Sequence, residues 1–228
     1  MKRREFVTSM AGLGMMTVAD VRAWQASTAA PRLVPPAGRL IQVACAISDA
    51  TTRIDFVGPE AVFQTWYPAP GPRGHAPRFR IFTVAATTEP VSKMVPDYTY
   101  ETAPSPDIVV VPAQVGSPAL HEWLRAVSQS AAVTMSVCTG ARHLALAGLL
   151  DGLPATTHHK SIDPFAKEFP KVHWVKGIRF VEGQKLATSG GLTAGIDLAL
   201  RIVERYFGRE DAQFVADHLE YDSKRWIV

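Results

Sequence analysis

Residues 132–141 read AVTMSVCTGA and place a cysteine, Cys138, between a strand pattern and a helix pattern. The apolar and β-branched residues of 132–137 predict a buried strand, and the small and apolar residues of 140–150 predict a buried helix. A tight turn between a strand and a helix lifts its central side chain above the carboxyl edge of a parallel sheet, where open α/β sheets bind ligands. The stretch therefore predicts both a fold class and the place of a site.

Strand and helix patterns alternate along the rest of the chain in the same way. Gly58 and Pro59 begin a predicted short helix, because proline is favoured in a first helical turn. The patterns predict further strands at 40–47, 79–86, 108–112, 172–174, 178–181 and 185–189, and further helices from 117, over 191–207 and over 211–221. This alternation predicts an α/β domain, a doubly wound and mostly parallel sheet with helices on both faces.

The composition is that of a globular protein, with 47% hydrophobic and 20% charged residues. The formal net charge is +3, but residues 1–26 hold four basic and two acidic residues, so the remainder carries only +1. A nearly neutral domain gives no electrostatic reason to expect nucleic acid as a partner. We therefore expect a small molecule as the substrate or ligand, and no nucleic acid.

Residues 1–30 resemble a twin-arginine export signal followed by a linker. Paired arginines at 3–4 precede a weakly apolar run at 7–18, and small residues follow, with cleavage expected after Ala26 or Ala30. The apolar run is too short to span a membrane. The resemblance implies a periplasmic or otherwise exported protein with no membrane anchor after signal removal. The alternative is a basic, disordered tail.

The two cysteines, Cys45 and Cys138, are too few for a scaffold held by disulfides. Cys45 lies in the apolar run 40–47 and is predicted to pack as a small hydrophobic residue, which argues against a disulfide between the two. No Cys or His pair has the spacing of a zinc site. Neither a metal nor a cofactor is predicted.

Cys138 has a different electrostatic setting from Cys45. N–H groups at the start of the next helix point toward its sulfur, and such dipoles stabilise a thiolate, giving cysteine pKa values of roughly 3.5 to 7.5. Gly140 permits close backbone approach because it has no Cβ. These features predict a nucleophile elbow with sulfur as the nucleophile. The alternative is a buried cysteine at the start of a core helix.

Five separated motifs occur along the chain: DFVGP at 55–59, SVCTGA at 136–141, LALAGLLDG at 144–152, ATTH at 155–158 and TSGGLTAGIDLAL at 188–200. Together they resemble the ThiJ/PfpI superfamily and, more narrowly, its branch with isonitrile hydratase and the amidase-like domain of AraC-type regulators. The resemblance implies a flavodoxin-like domain over residues 38–222 and, usually, a homodimer.

The resemblance also implies that Cys138 is the nucleophile and that Asp55 is its acidic partner. A carboxyl in a cleft beside a thiolate should have a raised pKa and could carry a proton. The residues alone leave a second interpretation open, in which Asp55 is an ordinary N-cap of the helix at Gly58.

The predicted substrate-binding and oxyanion residues depart from the pattern of relatives. Relatives commonly have Pro-Gly-Gly after the central strand, whereas residues 112–116 read PAQVG. Ala113 still offers a backbone N–H, and Gln114 offers a side-chain amide. Thr139 stands where protease-like members carry histidine and offers its backbone N–H and hydroxyl. Gly140 completes the oxyanion set.

Four further polar residues lie near these motifs. His158 is predicted to line the pocket, and His159 stands where relatives often have tryptophan, so it could change the pocket wall. Adjacent histidines on one strand point to opposite faces, which argues against a shared metal ion. Arg142 and His143 are either substrate or interface contacts or a polar edge of the helix.

Two functions from different classes follow. The resemblance implies hydration of an isonitrile to an N-substituted formamide through a thioimidate on Cys138, with a proton supplied by Asp55. The alternative is a non-catalytic ligand-binding or redox-sensing module related to the regulator domains. In such a module the thiol would be turned away from solvent or would be a site of oxidation.

Overall fold

The computed structural model describes residues 16–27, 30–65, 67–68 and 75–227 of the chain. The strands are β1 Ile41–Ala46, β2 Tyr67–Pro68, β3 His75–Ala76, β4 Phe79–Ala85, β5 Tyr98–Thr99, β6 Ile108–Val111, β7 Val133–Ser136, β8 Pro154–Ala155, β9 His173–Trp174, β10 Phe180–Glu182 and β11 Leu186–Ser189. The helices are α1 Val18–Ser27, α2 Ile54–Gln64, α3 Pro118–Ser130, α4 Ala141–Leu146, α5 Ile162–Glu168, α6 Ala194–Phe207 and α7 Arg209–His218. Short 3-10 turns occupy Cys138–Gly140 and His159–Ser161.

The central sheet has the strand order β10-β11-β7-β6-β1-β4-β5. Its neighbouring strands run parallel, except for the antiparallel pair β10 and β11 at one edge. Parallel neighbours need crossover connections, and helices on both faces of the sheet supply them. The predicted mostly parallel, doubly wound α/β fold is confirmed.

The register of the sheet brings three strand ends together at its carboxyl edge. Val111 of β6 lies opposite Ser136 of β7, and Ser136 lies opposite Thr188 of β11. The loops that leave these strands therefore emerge side by side. On the other side of β6 lies β1, whose following loop leads into α2 and to Asp55.

Strand β6 shows why the sheet is covered on both faces. Ile108 and Val110 pack in the cluster that includes side chains of α2 and α6, whereas Val109 and Val111 pack in the cluster that includes side chains of α3 and α4. All four residues are fully buried. Successive strand residues point to opposite faces, so an unbroken apolar run is what a strand between two helix layers requires.

The helix predicted to begin at Gly58 begins one turn earlier, at Ile54, with Pro59 inside it. Phe56, Pro59 and Phe63 share one helical face at i, i+3 and i+7, and all three are buried. Burial of this face offsets the hydrogen bond that Pro59 cannot donate. As a result Asp55 lies in the first turn of α2 and is not an N-cap before Gly58.

Two other predicted helices are shorter than expected. The helix predicted through Leu150 ends at Leu146, and Gly148 then adopts φ +73°, a conformation that ends helices. The helix predicted from Gly191 begins at Ala194 because Leu192 has φ +56°, which is incompatible with a helix. The freed residues 190–193 form a loop beside Cys138.

The first helix, α1, packs against the outer edge of the domain. Val21 is fully buried in a small cluster with Val175 and Val181. The paired arginines of the predicted export signal lie outside the described residues, so export stays a prediction. Among the helices of the described ranges, none combines the length and apolar character needed to cross a membrane.

Candidate active site

Cys138 sits at a strained turn between β7 and α4. Its φ is +57°, a left-handed conformation that costs a non-glycine residue about 1–2 kcal/mol. Two hydrogen bonds hold the turn: the Cys138 N–H donates to the Gly190 carbonyl at 3.0 Å, and the Thr157 hydroxyl donates to the Cys138 carbonyl at 2.7 Å. The predicted strand-to-helix elbow is therefore present.

Gly140 lets this turn approach strand β6. A Cβ at Gly140 would lie 2.9 Å from the Pro112 carbonyl carbon and still closer to the Val111 carbonyl oxygen. The φ of Gly140 is −54°, which any residue adopts, so the requirement for glycine is one of space. The predicted close approach at Gly140 is present. Its predicted role as an oxyanion donor is corrected, because its N–H donates to the Val137 carbonyl.

Asp55 lies beside the thiol, as the resemblance implied. The residue is 0% exposed, and its Oδ2 accepts the backbone N–H of Ala113 at 3.1 Å. The other oxygen, Oδ1, accepts no hydrogen bond of regular geometry. Burial raises the pKa of this carboxyl, and hydrogen bonds from the N–H of Ala113, the N–H of Leu192 and the thiol of Cys138 partly oppose that rise. The structure thus brings together a carboxyl from α2 and a thiol from the elbow.

The prediction that the pKa of Cys138 is lowered, so that a thiolate forms, is wrong. Burial, and then the charge of Asp55, raise the pKa of the thiol to about 11, although the N–H and hydroxyl of Thr139 and the N–H of Leu192 lower it. Burial also raises the pKa of Asp55. Cys138 is only 8% exposed, so burial strongly disfavours its charged form. The 3-10 turn and α4 that follow have only three and six residues, so their dipoles give the thiolate little stabilisation. The thiol of Cys138 is therefore neutral near pH 7, and the same burial disfavours the charged form of Asp55.

The pKa of Cys138 predicts the pH dependence of its alkylation. The logarithm of the rate with iodoacetamide should rise with unit slope from about pH 7 to about pH 10, without the plateau that a free cysteine approaches above about pH 8.5. In Asp55→Asn the curve should move to lower pH, because the negative charge beside the thiolate is gone. A plateau below about pH 8 in the wild type would contradict the neutral thiol, and Cys138→Ala provides the blank.

Two predicted oxyanion donors are already in use within the protein. The Ala113 N–H holds Asp55, and the Gln114 side-chain amide donates to the Ala46 carbonyl at 3.0 Å. The Ala113 N–H is not available to a substrate in this conformation, which corrects that expectation, whereas the Gln114 amide keeps a second N–H and its predicted role stays a prediction. Hydrogen bonds from the N–H and hydroxyl of Thr139 lower the pKa of Cys138, against the larger rise caused by burial.

His143 belongs to a buried network that the sequence did not predict. It is 2% exposed, and its Nε2 lies 3.1 Å from the Gln114 carbonyl oxygen while its Nδ1 lies 3.2 Å from Nε2 of His121. A carbonyl only accepts, so we assign the proton of His143 to Nε2. Burial lowers the pKa of His143 to about 4. This residue therefore pins the loop that supplies Ala113, and it is not a polar edge.

Arg142, the neighbour of His143, pairs with Glu168 at 3.2 Å between Nε and Oε2, as a polar edge of the helix would.

His158 and His159 are not on a strand, which corrects the geometry expected for them. His158 precedes the 3-10 turn that begins at His159, and the two ring centroids are 4.4 Å apart. Within the described ranges, no group of three or more His, Cys, Asp or Glu side chains could hold a metal ion.

A cavity of about 430 Å³ lies beside the elbow. His158 lines it, as predicted, whereas Cys138 does not. The cavity reaches the elbow through Thr157 and Gly190, which hydrogen bond to the Cys138 backbone. The full lining is Thr156, Thr157, His158, His159, Ile162, Val175, Lys176, Gly177, Ile178, Arg179, Gly190, Gly191, Leu192, Thr193 and Ala194.

Sequence reasoning missed the roles of Leu192 and Arg179. Leu192 lies in the motif at 188–200, but its left-handed backbone, which turns its N–H toward Asp55 and Cys138, is not readable from a leucine. The glycine at position 191 was a signal that the sequence offered for this loop. A Cβ there would overlap the His158 ring, so the glycine marks close packing of two segments that line the cavity. Arg179 lies in no motif.

The fold and the site together define a class of protein: a doubly wound α/β domain that presents a cysteine at a strained elbow beside a buried carboxyl. The sequence profile of the DJ-1/PfpI family matches residues 42–205. The chain belongs to the DJ-1/PfpI family, also called ThiJ/PfpI.

Similar proteins include both an enzyme and regulators. The chain is 36% identical over 146 residues to an isonitrile hydratase of Pseudomonas putida, covering 60% of this chain and 62% of that enzyme. It is 34% identical over 106 residues to the HTH-type transcriptional regulator CdhR of Pseudomonas aeruginosa, covering 46% of this chain and 31% of the regulator. A crystal structure of a ThiJ/PfpI family protein from Pseudomonas syringae matches with a TM-score of 0.68 at 25% identity, covering 82% of this chain and 77% of that one. The chain thus spans less than two thirds of the length of either curated relative.

Proposed function

We propose that this protein hydrates an isonitrile to an N-substituted formamide, with Cys138 as the nucleophile and Asp55 as the proton carrier. The observation that carries the proposal is the pairing of a buried thiol and a buried carboxyl at a strained elbow. The 36% identity to an isonitrile hydratase supports this reaction class.

In the first step a carbon–sulfur bond forms. The sulfur of Cys138 attacks the terminal carbon of R–N≡C while its proton passes to Asp55 and from there to the same carbon. The product is a thioimidate, R–N=CH–S–Cys138, which contains all the atoms of thiol and isonitrile. This step requires Asp55 in its carboxylate form, because Asp55 accepts the thiol proton as the sulfur attacks.

In the second step water adds to the thioimidate carbon and the carbon–sulfur bond breaks. Nitrogen gains a proton, the carbon keeps the water oxygen, and the thiol regains its hydrogen, so the sum is R–N≡C plus H₂O giving R–NH–CHO. The sulfur carries negative charge as it leaves. The N–H and hydroxyl of Thr139 and the N–H of Leu192 favour that charge, since each lowers the pKa of Cys138.

A second candidate function is a ligand-binding module without chemistry. It is favoured by the 8% exposure of Cys138 and by the absence of Cys138 from the lining of the neighbouring cavity. The similarity to the regulator CdhR supports the same interpretation. The two candidates differ in one observable, the conversion of an isonitrile.

The direct test is incubation of the wild-type protein with cyclohexyl isocyanide in water enriched in ¹⁸O. We expect N-cyclohexylformamide that carries one ¹⁸O atom, because the formyl oxygen comes from water. Mass spectrometry of the product measures both turnover and label. If no formamide forms above the rate without protein, the hydratase proposal for this substrate class fails and the binding module is the better account.

A further inference from the structure

The cavity adjoins the reactive thiol through the loop 190–193. Gly190 accepts the Cys138 N–H, and the N–H of Leu192 acts on both Cys138 and Asp55, while Gly190 and Leu192 also line the cavity. The loop 190–193 therefore belongs both to the cavity lining and to the surroundings of the thiol. The cavity can hold the part of a substrate that does not react.

The cavity wall formed by residues 175–179 is cationic. Lys176 and Arg179 line the cavity, and no Asp or Glu is among its described lining residues. The carboxylates that pair with these cations, Asp163 and Asp197, lie outside the lining. The cavity surface thus carries cationic donors and no carboxylate, although each cation is paired with an acid outside the lining.

The guanidinium of Arg179 is held in place with a donor to spare. Its Nε and Nη2 lie 2.6 Å and 2.5 Å from Oδ2 of Asp197, and Nη2 also donates to the Thr193 hydroxyl at 3.3 Å. Asp197 is 0% exposed and also accepts the hydroxyls of Tyr221 at 3.2 Å and Ser223 at 3.0 Å. In the described part of the chain, Nη1 has no hydrogen-bond partner. A fixed arginine with an open donor suits a planar anion.

The rest of the wall is largely apolar. Ile162, Val175, Ile178 and Leu192 contribute hydrocarbon to the lining. Apolar walls with a small number of placed polar groups are typical of small-molecule pockets, in which the polar groups set specificity. The occupant that fits both features has an apolar body and one anionic group.

We propose that this cavity is a carboxylate subsite beside the elbow, which binds the anionic group of a ligand whose body is apolar. Arg179 and Lys176 are the specificity-determining residues. The inference goes beyond the proposed function and stands without it, because recognition of the anion requires no turnover.

The test compares two unreactive probes of equal size, hexanoate and hexanamide, by calorimetric titration of the wild-type protein. A charge-assisted hydrogen bond should make hexanoate bind about tenfold more tightly than hexanamide. Arg179→Lys keeps a cation for Asp197 but replaces the planar guanidinium and its open Nη1 donor with a shorter ammonium side chain, and Lys176→Met removes the second cation. Each should lower the preference to about threefold or less. The matched control is Lys171→Met, which breaks an exposed pair with Asp151 outside the cavity and should leave the preference unchanged.

The outcomes separate this inference from the proposed function. Equal binding of the two probes, no binding of either, or a hexanoate preference that survives both cavity variants would overturn the carboxylate subsite. A preference for hexanoate that is lost in the cavity variants supports it even if cyclohexyl isocyanide is not turned over. In that case the hydratase chemistry fails and the anion subsite stands.

Discussion

Cys138→Ala should abolish isonitrile hydration, and Asp55→Asn should lower kcat/KM by about 10²–10⁴-fold. Without sulfur no thioimidate forms, so product should not exceed the rate without protein. Asn at position 55 can still accept the Ala113 N–H through its amide oxygen, but it cannot take the thiol proton and return it to carbon. Formamide production from cyclohexyl isocyanide measures both effects.

Matched controls separate this chemistry from general damage to the fold. Cys45→Ala removes the other thiol, which is buried in the middle of β1, and Asp49→Asn changes an exposed carboxyl in the loop that leads to α2. Both should keep turnover within about threefold of the wild type, since neither group belongs to the proton and sulfur chemistry. If Cys138→Ala retains more than about a tenth of the wild-type rate, sulfur is not the nucleophile.

Gly140→Ala should destabilise the fold by about 4 kcal/mol or more, or prevent folding altogether. The new methyl group would overlap backbone atoms of Val111 and Pro112, at the end of the central strand β6. Backbone at the end of a buried central strand cannot move aside as a flexible side chain could. Urea denaturation measures the free energy of unfolding of the variant.

Gly148→Ala is the control because alanine there meets backbone strain without a steric clash, whereas alanine at position 140 meets a clash without backbone strain. Gly148 has φ +73° and open space around its Cα, so alanine there meets backbone strain without a clash and should cost about 1–2 kcal/mol. If the two variants were equally stable, the close approach of the elbow to β6 would not be a constraint on Gly140.

The fold could be predicted from the sequence because its signals are local. The four residues 108–111 are all apolar and β-branched, and a strand covered on both faces requires such a run. Helix boundaries were less predictable. Pro59 normally marks a first turn, but the buried face of Phe56 and Phe63 extends the helix to Ile54. Tertiary burial outweighs a local preference when the apolar face continues through the proline.

The site could be predicted in part. The position of Cys138 at an elbow and its nearness to Asp55 were expected, the first from the strand-to-helix pattern and the second from the resemblance. The raised pKa of the Cys138 thiol was not expected, because burial and a neighbouring charge outweigh the dipoles of a short helix. The hydrogen bonds of Ala113 to Asp55 and of Gln114 to Ala46 could not be predicted either, because these partners come from distant parts of the chain.

The sequence by itself determined the order of strands and helices and the elbow at Cys138, because each depends on neighbours along the chain. Only the tertiary structure decided the neutral state of the thiol, the orientation of Asp55 and the cationic cavity wall. Those properties depend on solvent exclusion and on distances between segments that are remote in sequence, and both exist only once the loops at the ends of β6, β7 and β11 have packed together.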